Sequence, residues 1–125
     1  MGTQVVGIGV SKGHLEQLGK HMSLSRFLIE RDIPKAGSLD QRQLKEAAIK
    51  SNEVLRQLGP DIQWVESYIA DDKLFCVYLA TSEEIIRKHA QMSGFPATKI
   101  IPINRVIDPT TAQSSVGSVP LGHAL

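Results

Sequence analysis

Residues 74–80 read LFCVYLA, a run without a single charged side chain. Successive side chains of a β-strand point to opposite faces of the sheet, so a strand here is apolar on both faces. A second run, residues 26–31 (RFLIER), also places apolar side chains on both faces at its centre, because Phe27 and Ile29 point one way and Leu28 points the other. Together the two runs predict a sheet that has to bury both of its faces.

Apolar side chains recur at helical spacing after the first of these strands. Ser38 is the expected N-cap of this helix, with Gln41 three residues later, and Gly59 followed by Pro60 would end it. The stripe that the helix would bury consists of Leu44, Ala48, Ser51, Leu55 and Leu58.

A hairpin is predicted next. Residues 62–69 and 74–80 are both rich in β-branched and aromatic residues, and a short acidic turn separates them. A two-residue Asp-Asp turn would fix the register of the pairing. It predicts Ser67 opposite Cys76 and Val65 opposite Tyr78 on one face, with Glu66 and Tyr68 on the other face.

A second helix and a last strand complete the pattern. Thr81 or Ser82 is the expected N-cap of the helix, which ends before Gly94. Residues 99–107 (KIIPINRVI) predict the strand, in which Pro102 indicates a sheet edge or a bulge. The order of elements is therefore βαββαβ.

This order favours an α+β, ferredoxin-like fold: a four-stranded antiparallel sheet with both helices on one face. Two helices can cover only one face of a sheet whose two faces are both apolar. A large exposed apolar patch normally marks an interface. We therefore expect a homodimer of the dimeric α+β barrel type, in which the sheets of two copies pack together.

The length of 125 residues allows one domain, since chains usually divide at roughly 250–300 residues. Composition predicts an N-terminal extension at residues 1–22, the ferredoxin-like domain at residues 23–107 and a tail at residues 108–125. The tail is rich in proline and small polar residues, so it is expected to be flexible.

Charge and cysteine content limit the classes of partner. The 14 basic and 13 acidic residues nearly balance, so no broad field exists to attract nucleic acid or an anionic membrane. Cys76 is the only cysteine, which excludes an internal disulfide and fits a reducing compartment. We expect a soluble cytoplasmic protein that pairs with itself.

Three side chains that can bind metals fall within the apolar framework. His89 lies on the inward face of the second helix, Cys76 lies in the middle of a strand, and Glu30 interrupts another strand. Imidazole and thiolate suit nickel, zinc or copper better than magnesium or calcium. Each residue also has a structural alternative, which is a hydrogen-bonded core histidine, an inert buried thiol, and a carboxylate paired with Arg26, Arg31 or Arg105.

Three further residues are candidates for contact with a small molecule. Tyr68 and Tyr78 combine an apolar ring with a polar tip, although tyrosines in strands more often serve packing. Asn52 lies beside the apolar stripe of the first helix, next to Ser51, where it could face a small polar cavity.

Short motifs are spread over residues 25–107: FLIERD at 27–32, SN at 51–52, WVESY at 64–68, CVY at 76–78, and His89 followed by GFP at 94–96. Together they resemble a small bacterial family of domains of unknown function that includes nickel-binding ferredoxin-like proteins. The resemblance implies a homodimeric α+β fold and, for at least one member of the family, nickel binding. It implies no ligand set, so His89, Cys76 and Glu30 are chosen from chemistry and position.

Two functions therefore remain open, with a purely structural interaction module as a third. The first is divalent metal binding, of nickel or a similar ion, by a non-catalytic homodimer. The alternative is a cofactor-independent enzyme of the monooxygenase or isomerase type, which would use a cavity between helices and sheet. His89 would then be the general base, with Tyr68, Tyr78 and Asn52 orienting the substrate.

Overall fold

The computed structural model describes residues 23–115, and the predicted order of elements is confirmed. The expected extension at residues 1–22 and the end of the tail lie outside the described residues, so the extension and the flexibility of the tail stay predictions. The main elements are β1 (Ser25–Asp32), α1 (Gln41–Leu58), β2 (Ile62–Ile69), β3 (Lys73–Ala80), α2 (Glu83–Ser93) and β4 (Lys99–Ile103). Short 3-10 turns at Ala36–Ser38, Gly59–Asp61 and Pro109–Gln113 connect or follow them.

The four strands form one antiparallel sheet in the order β2-β3-β1-β4. This α+β arrangement is consistent with the ferredoxin-like fold that the element order predicts. Strand β4 lies at an edge, as Pro102 indicated, and it ends at Ile103 rather than at residue 107. Val106 and Ile107, which the sequence placed in this strand, lie beyond its end and are exposed.

The hairpin of β2 and β3 has the predicted register at its turn, where Ser67 lies opposite Cys76. The expected pairing of Val65 with Tyr78 is wrong, because a bulge between Trp64 and Glu66 leaves Val65 without a partner on β3. A bulge adds one residue to one strand and shifts the faces beyond it. Trp64 takes the place opposite Tyr78 and so joins the face that the helices cover.

Helix α1 begins two residues later than the sequence suggested. Asp40 is the N-cap: its carboxylate accepts from the Gln43 backbone N–H at 2.8 Å, and the Gln43 side chain accepts from the Asp40 N–H at 2.9 Å. Ser38 instead closes a 3-10 turn, where its hydroxyl donates to the Lys35 carbonyl. The N-cap of α2 is Ser82, one of the two predicted residues.

The core lies between the helices and one face of the sheet. Alternate residues of β1 and β3 are buried there, including Ile29 and Tyr78, and Ile86 of α2 packs against them. The opposite face, here called the outer face, is also largely apolar. Its central side chains are partly exposed and no helix of the described chain covers them; they are Leu28, Phe75, Val77 and Leu79.

None of the helices within residues 23–115 is both long and apolar enough to cross a membrane.

Candidate functional site

A cavity of about 500 Å³ lies between helix α1, strands β2 and β3, and the loop that follows α2. Most of its wall is apolar, contributed by Ile33, Leu39, Leu44, Ala47, Ala48, Trp64, Ile69, Leu74, Phe95 and Pro96. The polar groups on the wall are few, and they belong to Arg31, Gln43, Ser51, Ser67, Cys76 and Tyr78. An apolar wall with a few convergent polar groups is the usual character of a small-molecule site.

The cavity exists because small side chains face it from the helix. Ala47 and Ala48 of α1 lie over β2 and β3, where larger residues would have filled the space. Further along the same helix, the buried Ser51 contacts α2 and holds the two helices together.

Arg31 is the charged residue of the cavity wall. It continues the inward face of β1 after Phe27 and Ile29, and only 1% of its surface is exposed. The side chain reaches diagonally across to β3, where its Nε–H donates to the Cys76 sulfur at 3.4 Å. Burying a charged group is costly unless it is paired, so apolar packing alone does not explain why Arg31 is buried.

The remaining nitrogens of Arg31 hold the loop after α2. Nη1 donates to the backbone carbonyls of Phe95 at 3.2 Å and of Pro96 at 2.9 Å. Nη2 is buried and has no hydrogen-bond partner, and the guanidinium carbon lies 5.9 Å from the centre of the Tyr78 ring. None of the ion pairs within residues 23–115 includes Arg31.

His89 is fully buried, as the sequence predicted from the inward face of its helix. Its Nε2 lies 3.1 Å from the Ser51 hydroxyl, so the pair joins the two helices, while Nδ1 has no partner. The His89 ring packs at 5.4 Å, centre to centre, against the ring of Tyr78. His89 does not itself line the cavity; Ser51 and Tyr78 do.

The protonation of this cluster follows from burial and from Arg31. Burial, aided by the nearby positive charge of Arg31, lowers the pKa of His89 to about 4, so its ring is neutral at pH 7. Burial also raises the pKa of the Tyr78 hydroxyl, which therefore keeps its proton. A histidine with so low a pKa is a weak general base at neutral pH.

Glu30 does not join the other two candidate metal ligands within one chain. Residues of β1 alternate, so Glu30 points to the outer face while Ile29 and Arg31 point inward. Its carboxylate binds the Lys73 ammonium at 2.6 Å, and Asp32 binds the same ammonium at 2.7 Å. The partner is thus Lys73 and not one of the arginines that the sequence offered, because Lys73 is opposite Asp32 in the sheet register.

The three residues predicted to contact a small molecule separate as well. Tyr78 lines the cavity, as expected. Tyr68 points to the outer face, where it is 53% exposed and its hydroxyl donates to the Glu66 carboxylate. Asn52 is exposed on α1 and is not part of the cavity wall, because it is Ser51 that turns inward at this point of the helix.

The interior of one chain does not fit a divalent metal ion. Cys76 and His89 offer two donor atoms, and the described residues contain no group of three His, Cys, Asp or Glu side chains that could hold one. A thiolate ligand must lose its proton and attract the ion. At Cys76 the sulfur instead accepts a hydrogen bond from the Arg31 cation, whose charge repels a second cation.

Sequence reasoning missed Arg31 as a site residue, together with Gln43, Ser67 and Trp64. From the sequence, Arg31 was named only as one of three possible ion-pair partners of Glu30, although strand alternation alone puts it on the face of Phe27 and Ile29. The position of Trp64 depended on the bulge, which the sequence did not reveal.

The comparisons with known proteins support the fold and the family. Residues 27–103 match the sequence model of the family described as nickel responsive protein SCO4226-like. The crystal structure of SCO4226 from Streptomyces coelicolor A3(2) resembles this chain with a TM-score of 0.57; the match covers 66% of this chain and 100% of that chain. At 14% identity this likeness shows the fold alone. No curated protein matches the chain. Because the family match covers more than half of the 125 residues, this chain belongs to the SCO4226-like family of nickel responsive proteins.

Proposed function

We propose that this chain is a binding protein whose ligand is a small organic molecule held in the cavity between α1, β2 and β3. The observation that carries the proposal is the cavity itself, whose volume of about 500 Å³ falls in the range typical of ligand sites. Its apolar wall would bury most of the ligand, and its few polar groups would orient it.

Binding is better supported than catalysis. His89, the base that an enzyme would need, lies behind Ser51 and Tyr78 and is not on the cavity wall. Its low pKa also makes it a poor proton acceptor. The hypothesis of a cofactor-independent enzyme therefore lacks its general base. A binding site does not need one, and the groups that it does need line the cavity.

A fluorescence titration tests the proposal. Trp64 is the only tryptophan and lines the cavity, so its emission reports on ligand at that place. With decanol as a neutral probe we expect a saturable change in emission. The variant Ala48→Phe fills the cavity and should abolish the change, whereas Ile49→Phe, at an exposed position one residue along α1, should leave it intact. Equal binding by all three proteins would contradict the proposal.

We also propose that the chain acts as a homodimer joined through the outer face. The support is the apolar patch around Val77, which no helix within residues 23–115 covers. At one end of this face Lys73 pairs with both Glu30 and Asp32, so these three side chains leave a net charge of only −1 there. A self-complementary surface of this kind favours an isologous dimer.

We place the dimer in the cytoplasm. The support is the lone buried thiol of Cys76, which has no cysteine in its own chain with which to form a disulfide.

Nickel binding is the second candidate function, and the description of the family is the observation that favours it. The cation Arg31 beside Cys76 argues against the interior as the nickel site. We therefore propose that nickel binds this chain through groups other than His89 and Cys76.

Calorimetric titration of the full chain with nickel tests this placement. The isotherms of the wild type and of His89→Gln, which keeps the side-chain volume, should coincide, because His89 is not a ligand. Circular dichroism of the variant provides the control for folding. Lost or weakened nickel binding by folded His89→Gln would contradict this placement and would indicate that nickel binds in the interior at His89.

A further inference from the structure

The cavity wall carries one positive charge and no negative one. Arg31 is the charged group among the residues that line it, and neither an aspartate nor a glutamate lines it. No carboxylate is among the acceptors that the guanidinium does have, which are the Cys76 sulfur and two backbone carbonyls. A buried charge normally has an opposite charge nearby, so within the described chain the guanidinium lacks its counter-charge.

The other polar groups of the wall also have donors to spare. The Gln43 side chain uses its Oε1 to accept from the Asp40 backbone at the helix N-cap, which leaves its NH₂ group free to donate. The Ser67 hydroxyl accepts from Trp64 Nε1 at 2.9 Å, so its own proton remains available. Arg31 Nη2 is the one donor of the three that is buried without an acceptor.

From these observations we propose that the ligand is an organic monoanion, a carboxylic acid with an apolar body whose carboxylate pairs with Arg31. This inference rests on the proposed function, because it names the class of molecule that the same cavity takes. A single guanidinium balances a single negative charge, which favours a carboxylate over a doubly charged phosphate. The ten apolar residues of the wall provide the surface for the rest of the molecule.

Contact with the guanidinium requires a small local change. Arg31 lines the cavity, but its Nη2 atom is covered in this structure. The arginine side chain has several rotatable bonds, and a turn that exchanges the hydrogen bond from Nε to sulfur for one to the carboxylate would bring the head group to the ligand. The two carbonyls hold the terminal nitrogen Nη1 of the guanidinium.

Three ligands with the same ten-carbon body separate the charge of the head group from the apolar contribution. Decanoate, decanol and decylamine are titrated into the full wild-type chain at neutral pH below their aggregation concentrations, with Trp64 emission as the readout. Decanoate should bind at least about tenfold more tightly than decanol, since hydrogen bonds to charged groups contribute that much, and decylamine should bind most weakly.

Variants then assign the preference to one residue. Arg31→Met removes the charge at similar volume and should bring the affinities for decanoate and decanol together. Arg87→Met makes the same change on the exposed face of α2, where the arginine pairs with Glu83, and should preserve the difference. Because Arg31→Met also leaves two carbonyls without their donor, its fold is checked by circular dichroism. If the variant does not fold, the comparison of decanoate with decanol in the wild type still tests the preference for an anion.

The outcomes separate this inference from the function on which it rests. Preference for decanoate, lost only in Arg31→Met, supports the anion site. Equal binding of decanoate and decanol by the wild type overturns it and leaves the binding cavity standing. Binding of none of the three ligands overturns both.

Discussion

At the scale of single residues, His89 links the interior to pH. The folded chain holds its pKa near 4 because burial and Arg31 both disfavour the protonated ring. The unfolded chain has the ordinary value of about 6.5. As the pH falls below 6.5, His89 is protonated in the unfolded state, but in the folded state it is protonated only near pH 4. The free energy of unfolding therefore decreases between these two pH values.

We expect the free energy of unfolding to fall by about 1 kcal/mol between pH 7 and about pH 5.5, above the range in which most carboxylates titrate. Urea denaturation at the two pH values measures the change. His89→Gln, which cannot take up a proton, should show a clearly smaller loss. The same loss in the variant and the wild type would contradict the assigned pKa.

The residue scale is also where the sequence was least informative. Burial of His89 and Cys76 was predictable, because helical and strand periodicity fix which way each side chain points. The same periodicity places Arg31 inward, but a fully buried arginine is rare, and the sequence offers Arg31 only as a possible ion-pair partner of Glu30. Its partners, two carbonyls in the loop after α2, depend on tertiary contacts that no local pattern reveals.

At the scale of elements, the start of α1 decides where the cavity begins. Asp40 and Gln43 exchange hydrogen bonds in a capping box, and Gln43 also lines the cavity. Two unsatisfied backbone donors of the helix are thereby paired. The cap thus holds the first turn of α1 and one wall of the site together.

Asp40→Ala should lower the free energy of unfolding by about 1 kcal/mol, because it removes the N-cap. Ser38→Ala, at the residue that the sequence alone would choose, should change it by much less, since Ser38 makes one exposed hydrogen bond outside the helix. Thermal or urea denaturation distinguishes the two. A larger effect at Ser38 would move the helix start back to the position that the sequence suggested.

The elements themselves were largely predictable, for a physical reason. Periodicity of apolar residues identifies helices and strands, and it gave all four strands and both helices here. What it missed were details that depend on competing local hydrogen bonds: the choice of Asp40 over Ser38 as cap, the bulge at Val65, and the early end of β4. Of these, the bulge mattered most, because it brought Trp64 into the site.

At the scale of the whole molecule, the outer face predicts association. Val77 lies at the centre of this face, opposite both Leu28 and Glu66 in the sheet register. Burying an apolar patch of this kind against a second copy is favourable by roughly 25 cal/mol for each Å² removed from water. The composition of the face was already clear from the sequence, since both faces of residues 74–80 are apolar.

Sedimentation equilibrium of the full chain should give twice the mass of one chain at micromolar concentration. Val77→Asp should shift the mass toward that of a single chain, because it places an unpaired carboxylate in the interface. Ile49→Asp, the same kind of change at an exposed position on α1, should leave the dimer intact. A monomeric wild type would contradict the proposed homodimer.

Above all, we infer that the interior cavity binds an organic anion at Arg31. The most direct measurement is the nuclear magnetic resonance spectrum of the ¹⁵N-labelled full chain, in which the indole N–H of Trp64 is unique and the Nε–H of Arg31 can be assigned. Addition of decanoate should shift both signals and leave backbone signals of the outer face that are remote from the cavity wall, such as that of Leu28, unchanged. If decanoate shifts the outer face alone, or if nickel rather than decanoate shifts the signals of the cavity, the claim is contradicted.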